Sequence, residues 1–214
     1  MKVESRRCAV IGASPETDIE VIRRCLRDDD FIACADGGYV FARKAGREPD
    51  LIVGDFDSSE KPENRNGGVI YLPVRKDDTD TMYIVRECLK LGFSDFLLLG
   101  MTGGRPDHTF ANFCTLSYIA ENGAHGCMAD GRCVVEVIGT GKTIIENKKD
   151  SGISVFPFGC SKCRLSLKGF EYELEDGELT EDFPLGVSNR IISDKAEVVL
   201  TSGKAILFIG NQEQ

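Results

Sequence analysis

The chain has 214 residues, 42% of them hydrophobic and 29% charged, which suits a soluble globular protein of one large domain or two modest ones. Its formal net charge of -9 argues against nucleic acid or an anionic membrane as the main partner, because phosphate backbones and such surfaces are bound through basic patches. A nucleotide brought in with a divalent cation stays compatible with that charge. The segment Met1 to Arg7 is polar, without the apolar stretch of a secretory signal, and no apolar run approaches the roughly 18 residues of a membrane span, so a cytoplasmic location is expected.

The first part of the chain alternates short apolar runs with amphipathic stretches. Strands are predicted at 8–12, 31–35, 51–53, 69–72 and 96–99, and helices at 18–27, 39–45, 79–91 and 109–121. In the third helix Met82, Val85 and Leu89 recur at helical spacing, as do Ile84, Cys88 and Leu91, and Gly92 follows as a stop. The fourth ends similarly at Asn122-Gly123. Strand–helix alternation of this kind predicts an α/β domain with a mostly parallel sheet and flanking helices.

Beyond about residue 128 helical periodicity is lost and period-two runs take over. Strands are predicted at 133–138, 153–156, 163–168, 170–174, 197–200 and 205–209, separated by turns rich in Gly, Asn and Asp. A small antiparallel β-sandwich or barrel is expected, with a boundary near 124–130 that divides the chain into domains 1–127 and 128–214. Nine cysteines, an odd number, sit largely in apolar segments such as those of Cys8, Cys34, Cys88, Cys114 and Cys133, so reduced thiols are expected. Cys160-Ser161-Lys162-Cys163 is a lone CxxC with no second pair.

Ligands of open α/β sheets bind beyond the carboxyl ends of the strands, and four predicted strands are followed by polar, glycine-bearing segments. These contain Asp36-Gly37-Gly38, Gly54-Asp55-Phe56-Asp57-Ser58, the stretch from Arg75 and Lys76 through Asp77, Asp78 and Thr79 to Asp80, and Gly100 to His108. Asp55 and Asp57, at i and i+2 of an extended loop, can aim both carboxylates at one hard cation such as magnesium; the competing reading is that they cap the next turn. Asp77, Thr79 and Asp80 stand at a helix start, where acidic residues also serve as caps. In Thr102-Gly103-Gly104-Arg105-Pro106-Asp107-His108, glycines let backbone amides approach an anion, and Arg105 can fork onto phosphate oxygens. His108 and Asn112 share a helical face.

Two look-alikes are set aside. Gly139-Thr140-Gly141-Lys142-Thr143 ends like a phosphate-binding P-loop, but Glu136 stands where that motif needs glycine and no helix follows. Asp55-Phe56-Asp57-Ser58 is similar to the nucleophile loop of haloacid-dehalogenase-like phosphatases, which place it after an early strand, not a third one. Another magnesium-dependent phosphotransferase or phosphohydrolase, or a nucleotide- or vitamin-binding module without turnover, is the alternative function.

Taken together, Asp36-Gly37-Gly38, Gly54 to Ser58, Lys76 to Asp80, and Gly103 to His108 with Asn112 resemble the thiamine pyrophosphokinase family in order and spacing. That resemblance spans the chain and implies an N-terminal α/β catalytic domain with a C-terminal β-sandwich for thiamine binding and dimerisation. It implies transfer of pyrophosphate from ATP to the hydroxyl of thiamine, with Asp55, Asp57, Asp77 and Asp80 holding Mg2+ and Arg105 with nearby amides binding phosphates. Asp36, Gly37, Gly38, Ser58, Lys76, Thr79, Thr102, Gly103, Gly104, Asp107, His108 and Asn112 complete the implied ATP site. Gly186-Val187-Ser188-Asn189 is similar to the family's thiamine-contacting segment, so Ser188 and Asn189 are implied to reach the active site of a homodimer partner. Arg190 departs from the acidic residue common after Asn189 in related bacterial sequences, and the chain lacks tryptophan. Asp77 or Asp107 is the candidate proton acceptor if one is needed.

Overall fold

The computed structural model describes residues 6–56, 62, 67–73 and 77–210. They fall into two compact units, Met1–Gly131 and Arg132–Gln214.

The first unit carries β1 (Cys8–Ile11), α1 (Ile19–Cys25), β2 (Phe31–Ala35), α2 (Gly38–Lys44), β3 (Leu51–Gly54), β4 (Gly68–Tyr71), α3 (Asp80–Lys90), β5 (Asp95–Leu99), α4 (Pro106–Glu121) and β6 (His125–Ala129). Its strands pair in parallel in the order β6-β5-β1-β2-β3-β4. All four residues of β1 are buried, as are four of the five in β2 and β5, which is why these runs are apolar throughout rather than alternating. The helices start and stop where local chemistry allows. Thr79 caps α3 by accepting a hydrogen bond from the Met82 amide at 3.1 Å, and α3 is followed by Gly92 at φ +94°. Helix α4 starts three residues earlier than its apolar period predicts, because Pro106 is preorganised for a first helical position.

The second unit is antiparallel. It contains β7 (Cys133–Ile138), β8 (Gly141–Glu146), β9 (Gly152–Pro157), β10 (Lys162–Lys168), β11 (Leu174–Thr180), β12 (Asn189–Arg190), β13 (Lys195–Ser202) and β14 (Ala205–Gly210). Two four-strand sets are ordered β12-β9-β14-β7 and β11-β10-β13-β8. Strand β10 shows the expected alternation: Cys163, Leu165 and Leu167 are buried, whereas Lys162, Arg164 and Lys168 are exposed. These side chains join Ile153, Val155, Phe170, Ile191, Val198, Leu200 and Leu207 in one core cluster, so the sandwich reading of this half holds.

One local expectation is corrected. Residues 170–174 do not form a strand despite their alternation. Gly169 turns the chain at φ +85°, Phe170 makes only an isolated bridge to Ile191, and the backbone of Tyr172 is taken by the Asn189 side chain, so extended pairing resumes only at Leu174. Asn189 opens the short strand β12, paired with β9. Gly141-Lys142-Thr143 lies inside β8 against β13, in a strand and not in a loop that opens a helix as a P-loop does. No helix among the described residues is long and apolar enough to cross a membrane, and all nine cysteines are thiols. Burial pushes the Cys163 thiol up to about 11.

Candidate active site

The chain leaves β1 toward β2 on one side and returns to β5 on the other, so the topological switch point lies between β1 and β5. An open parallel sheet offers its crevice there, between the loops that follow those two strands. A cleft of about 600 Å³ occupies this place, lined by Gly12, Ala13, Ser14, Pro15, Ala35, Asp36, Asp55, Thr79, Asp80, Thr81, Gly100, Met101, Gly103, Gly104, Arg105, His108, Ala111 and Asn112.

The two switch-point loops are sewn together. The Gly12 amide donates to Leu99 O at 2.8 Å and the Ser14 amide to Gly100 O at 3.1 Å, and the Ser14 hydroxyl donates to Thr102 O. Glu16 reaches across from the first loop, and its Oε1 accepts a hydrogen bond from the Gly104 amide at 3.1 Å. Gly103 and Gly104 sit at φ +88° and +65°, and a Cβ on Gly103 would lie 2.5 Å from the Glu16 carboxyl carbon, so this loop needs glycine for both conformation and space. From the other side Asn112 Nδ2 donates to Met101 O at 2.9 Å, and Thr102 Oγ1 donates to Asp130 Oδ2 at 2.8 Å.

Carboxylates gather on the opposite wall. Asp36 follows β2 at φ +47°, and its amide donates to Val53 O at 2.8 Å. A Cβ on Gly54 would fall 2.6 Å from Asp36 Oδ1, so the absent side chain at 54 makes room for that carboxylate beside the loop carrying Asp55. The next residue, Phe56, is buried at φ +50° with its ring edge-on to Tyr71 at 5.6 Å, which fixes where the Asp55 loop departs. Asp80, the first residue of α3, joins Asp36 and Asp55 as the third lining carboxylate among the described residues.

The structure thus brings Asp36, Asp55, Thr79, Asp80, Gly103, Gly104, Arg105, His108 and Asn112 around one cleft. Asp77, Gly37, Gly38, Thr102 and Asp107 are not among its lining residues, and Asp57, Ser58 and Lys76 lie outside the described residues. Some have other employment. A Cβ on Gly38 would meet Ile11 O at 2.0 Å, so that glycine lets α2 press onto β1. Thr79 spends its hydroxyl on the α3 cap, and Asp78 pairs with Arg86. Hard oxygen donors on one wall are the kind magnesium takes; among the described residues no three His, Cys, Asp or Glu side chains stand close enough to enclose a metal ion by themselves.

Arg105 and Asp107 form a fork at the start of α4, with Nε to Oδ1 at 3.1 Å and Nη2 to Oδ2 at 2.6 Å. The guanidinium holds the Asp107 carboxyl below the usual carboxylate range, helped by the His108 amide, and Asp107 raises Arg105 in turn. A carboxylate stabilised in its charged form is a poor proton acceptor.

In the second unit Ser188 is exposed at φ +59°, with its amide bonded to Ser154 Oγ at 3.1 Å, whereas Asn189 is buried. Both line a second cavity, about 1120 Å³, with Glu171, Tyr172, Arg190 and Phe208. The sequence reading missed the loop from Gly12 to Glu16. Its one signal was a glycine directly after the first apolar strand, at the position where the switch point of a doubly wound sheet falls.

Known proteins supply an independent comparison. Residues 22–128 match the family described as Thiamin pyrophosphokinase, catalytic domain, and residues 142–207 the family described as Thiamin pyrophosphokinase, vitamin B1 binding domain. The thiamine pyrophosphokinase of Bacillus subtilis is 27% identical over 179 residues, covering 81% of this chain and 84% of that protein. Thiamin pyrophosphokinase 1 of Caenorhabditis elegans is 26% identical over 170 residues, 75% of this chain and 69% of that protein. The crystal structure of the Bacillus subtilis enzyme superposes with a TM-score of 0.86 at 22% identity, over 97% of this chain and 100% of that one, which shows a common fold. With both units matched in order by the two halves of one family, the chain belongs to the thiamin pyrophosphokinase family.

Proposed function

We propose that this protein is a transferase that moves a pyrophosphoryl group from ATP to the hydroxyl oxygen of thiamine, giving thiamine diphosphate and AMP. One observation carries the reading beyond family membership: a switch-point cleft with the carboxylates of Asp36, Asp55 and Asp80 on one wall and the Gly103-Gly104-Arg105 loop on the other. Such a pair of walls suits a polyphosphate bound together with a divalent cation.

In this reading the thiamine oxygen forms a bond to the β-phosphorus, the bond from that phosphorus to the α–β bridging oxygen breaks, and the electron pair leaves with AMP. The hydroxyl proton goes to a cleft carboxylate or to water. Phosphoryl-type transfer asks the protein for alignment and charge neutralisation more than for covalent chemistry. Asp55 and Asp80, with Asp57 and Asp77, are the residues we assign to Mg2+, which when bound offsets the charge of the phosphate oxygens. Arg105 serves the same end by exchanging Asp107 for phosphate, a fork it already presents in the right shape. Asp36, Thr79, His108 and Asn112 flank the nucleotide, and Ser14 and Glu16 hold the loop that carries Arg105.

We further infer a homodimer, in which the Ser188-Asn189 segment of one copy serves the cleft of the other. Phe183, Leu185, Val187 and Ile192 support it, since they are 50% to 64% exposed within one short segment of the second unit, an apolar concentration that marks interfaces. A cytoplasmic location fits the nucleotide substrate and the reduced thiols.

The test is to incubate the protein with ATP, Mg2+ and thiamine and identify the nucleotide product. AMP formed only when thiamine is present is expected. ADP, or phosphate released without an acceptor, makes the chain a different phosphotransferase or a phosphohydrolase, and binding without ATP consumption makes it a non-catalytic module.

A further inference from the structure

The second unit places one aromatic side chain in an unusual situation. Tyr172 is 66% exposed, yet its backbone is among the most constrained in the turn. Its amide donates to Asn189 Oδ1 at 3.0 Å, and its carbonyl accepts from Asn189 Nδ2 at 2.7 Å. Just before it the chain is pinned again: the Glu171 amide donates to Arg190 O at 2.8 Å, and buried Phe170 bridges to Ile191. A ring displayed to solvent from a backbone that cannot turn away is preorganised for contact.

Asn189 is the reverse case. Its side chain is in a residue only 8% exposed, and its carboxamide is committed to the chain. The oxygen accepts from both Tyr172 N and Arg190 N, the latter at 2.8 Å, and the nitrogen donates to Tyr172 O. An amide oxygen has two acceptor sites, so a ligand that claimed this oxygen would strip a backbone amide of its partner. Both acceptor sites of the Asn189 oxygen are therefore taken by the turn it organises.

Tyr172 also stands where two cavities meet. It lines the larger one with Glu171, Ser188 and Phe208, and a smaller apolar one of about 290 Å³ with Leu185 and Val187. Thiamine joins a flat pyrimidine to a positively charged thiazolium ring, a ligand suited to an aromatic face with a carboxylate nearby.

We propose that Tyr172 is the side chain of the second unit that receives the rings of thiamine, and that Asn189 is a positioning residue that holds Tyr172 in place without meeting the ligand. The proposal rests on the thiamine reading given above, and its experiment separates the two. Thiamine binding to the full chain is measured by calorimetry, and AMP formation is followed in parallel, for the wild type, Tyr172→Ala, Tyr172→Phe, Asn189→Ala and the double alanine variant.

Tyr172→Ala is expected to raise both Kd and KM for thiamine roughly tenfold or more, the scale of a desolvated cation–π contact, with ATP KM and melting temperature unchanged. Tyr172→Phe, which keeps the ring, retains wild-type affinity. Asn189→Ala weakens thiamine as well, and because it acts through Tyr172 the double variant is no weaker than Tyr172→Ala alone. Losses that multiply in the double variant would make Asn189 an independent contact and overturn the assignment, as would unchanged thiamine affinity in Tyr172→Ala. Should Asn189→Ala lower the melting temperature sharply, the two exposed Tyr172 variants still decide the point. A wild type that binds thiamine without making AMP sinks the proposed activity while leaving Tyr172 testable by calorimetry; one that does not bind thiamine at all sinks both.

Discussion

The two units solve the problem of presenting function from a rigid frame in different ways. In the first, the frame is a parallel sheet whose central strands are buried, and the charged cleft residues sit just beyond a strand or at a helix start: Asp36 after β2, Asp55 after β3, Asp80 opening α3, Arg105 before α4. In the second, a buried aliphatic core supports a turn at 169–173 and a segment at 183–192 whose notable exposed side chains are apolar or aromatic. Charge is gathered in the one and displayed hydrocarbon in the other. The difference suggests a division of labour, with the first unit governing the chemical step and the second governing which acceptor is received.

That division can be broken most directly at the carboxylates. Asp55→Asn and Asp80→Asn are each expected to lower kcat on the order of a hundredfold or more, the scale of losing a group that stabilises transition-state charge. Their melting curves and their thiamine affinity by calorimetry should stay close to wild type. A variant that instead lost thiamine affinity while keeping kcat would move acceptor recognition into the first unit.

Gly54→Ala is a gentler blow to the same wall. The new methyl would sit 2.6 Å from Asp36 Oδ1, so the carboxylate must shift, and a misplacement of that size near reacting groups is expected to cost roughly tenfold to a hundredfold in kcat. Steady-state kinetics at saturating thiamine check it, and an unchanged kcat would show that Asp36 has no part in the reaction. Glu16 offers a smaller and more specific effect. Glu16→Ala removes the acceptor for the Gly104 amide, and one such hydrogen bond is worth about 1 kcal/mol, so ATP KM should rise about fivefold. Glu16→Gln keeps an oxygen in place and should recover most of that loss. A lower ATP KM in Glu16→Ala would mean that the carboxylate competes with phosphate rather than holding the loop.

Much of this arrangement was legible in the sequence, and the failures have physical causes. Asp55 and Asp80 were readable because polar, acidic residues follow apolar runs at strand ends, and a parallel sheet gives that position meaning. The loop from Gly12 to Glu16 was passed over because Gly12, Ala13, Ser14 and Pro15 carry no charge, and because Glu16 acts on an amide 88 residues away. No local pattern encodes such a contact. Strand β6 was missed since His125, Gly126 and Cys127 lack the branched and aromatic residues that favour strands. The false strand at 170–174 shows the opposite error. Phe170-Glu171-Tyr172-Glu173-Leu174 has a strand's alternation, but the left-handed backbone at Gly169 and the grip of Asn189 turn it into a display for Tyr172. Period-two patterning reports which side chains prefer burial, and a long-range hydrogen bond can override the backbone path that it suggests.

The smallest expected effect tests the second unit at Arg190. Arg190 stands 3.8 Å from Glu171, with the two side chains 62% and 48% exposed, and both line the cavity that holds Ser188 and Tyr172. A pair so open to water contributes little to stability, about 0–1 kcal/mol, so breaking it should leave the melting temperature unchanged. Its effect on a cationic acceptor has a definite sign, because Arg190 both repels the thiazolium and occupies the carboxylate of Glu171. Arg190→Ala is therefore expected to lower thiamine KM by roughly twofold to fivefold, the size of a solvent-screened charge interaction, without changing ATP KM. Screening sharpens the test: the advantage should shrink as ionic strength rises, since exposed charges lose their reach once the Debye length falls to a few ångströms. A rise in thiamine KM would instead make Arg190 a contact for the acceptor, and the second unit would then recognise thiamine by a polar side chain as well as by the ring of Tyr172.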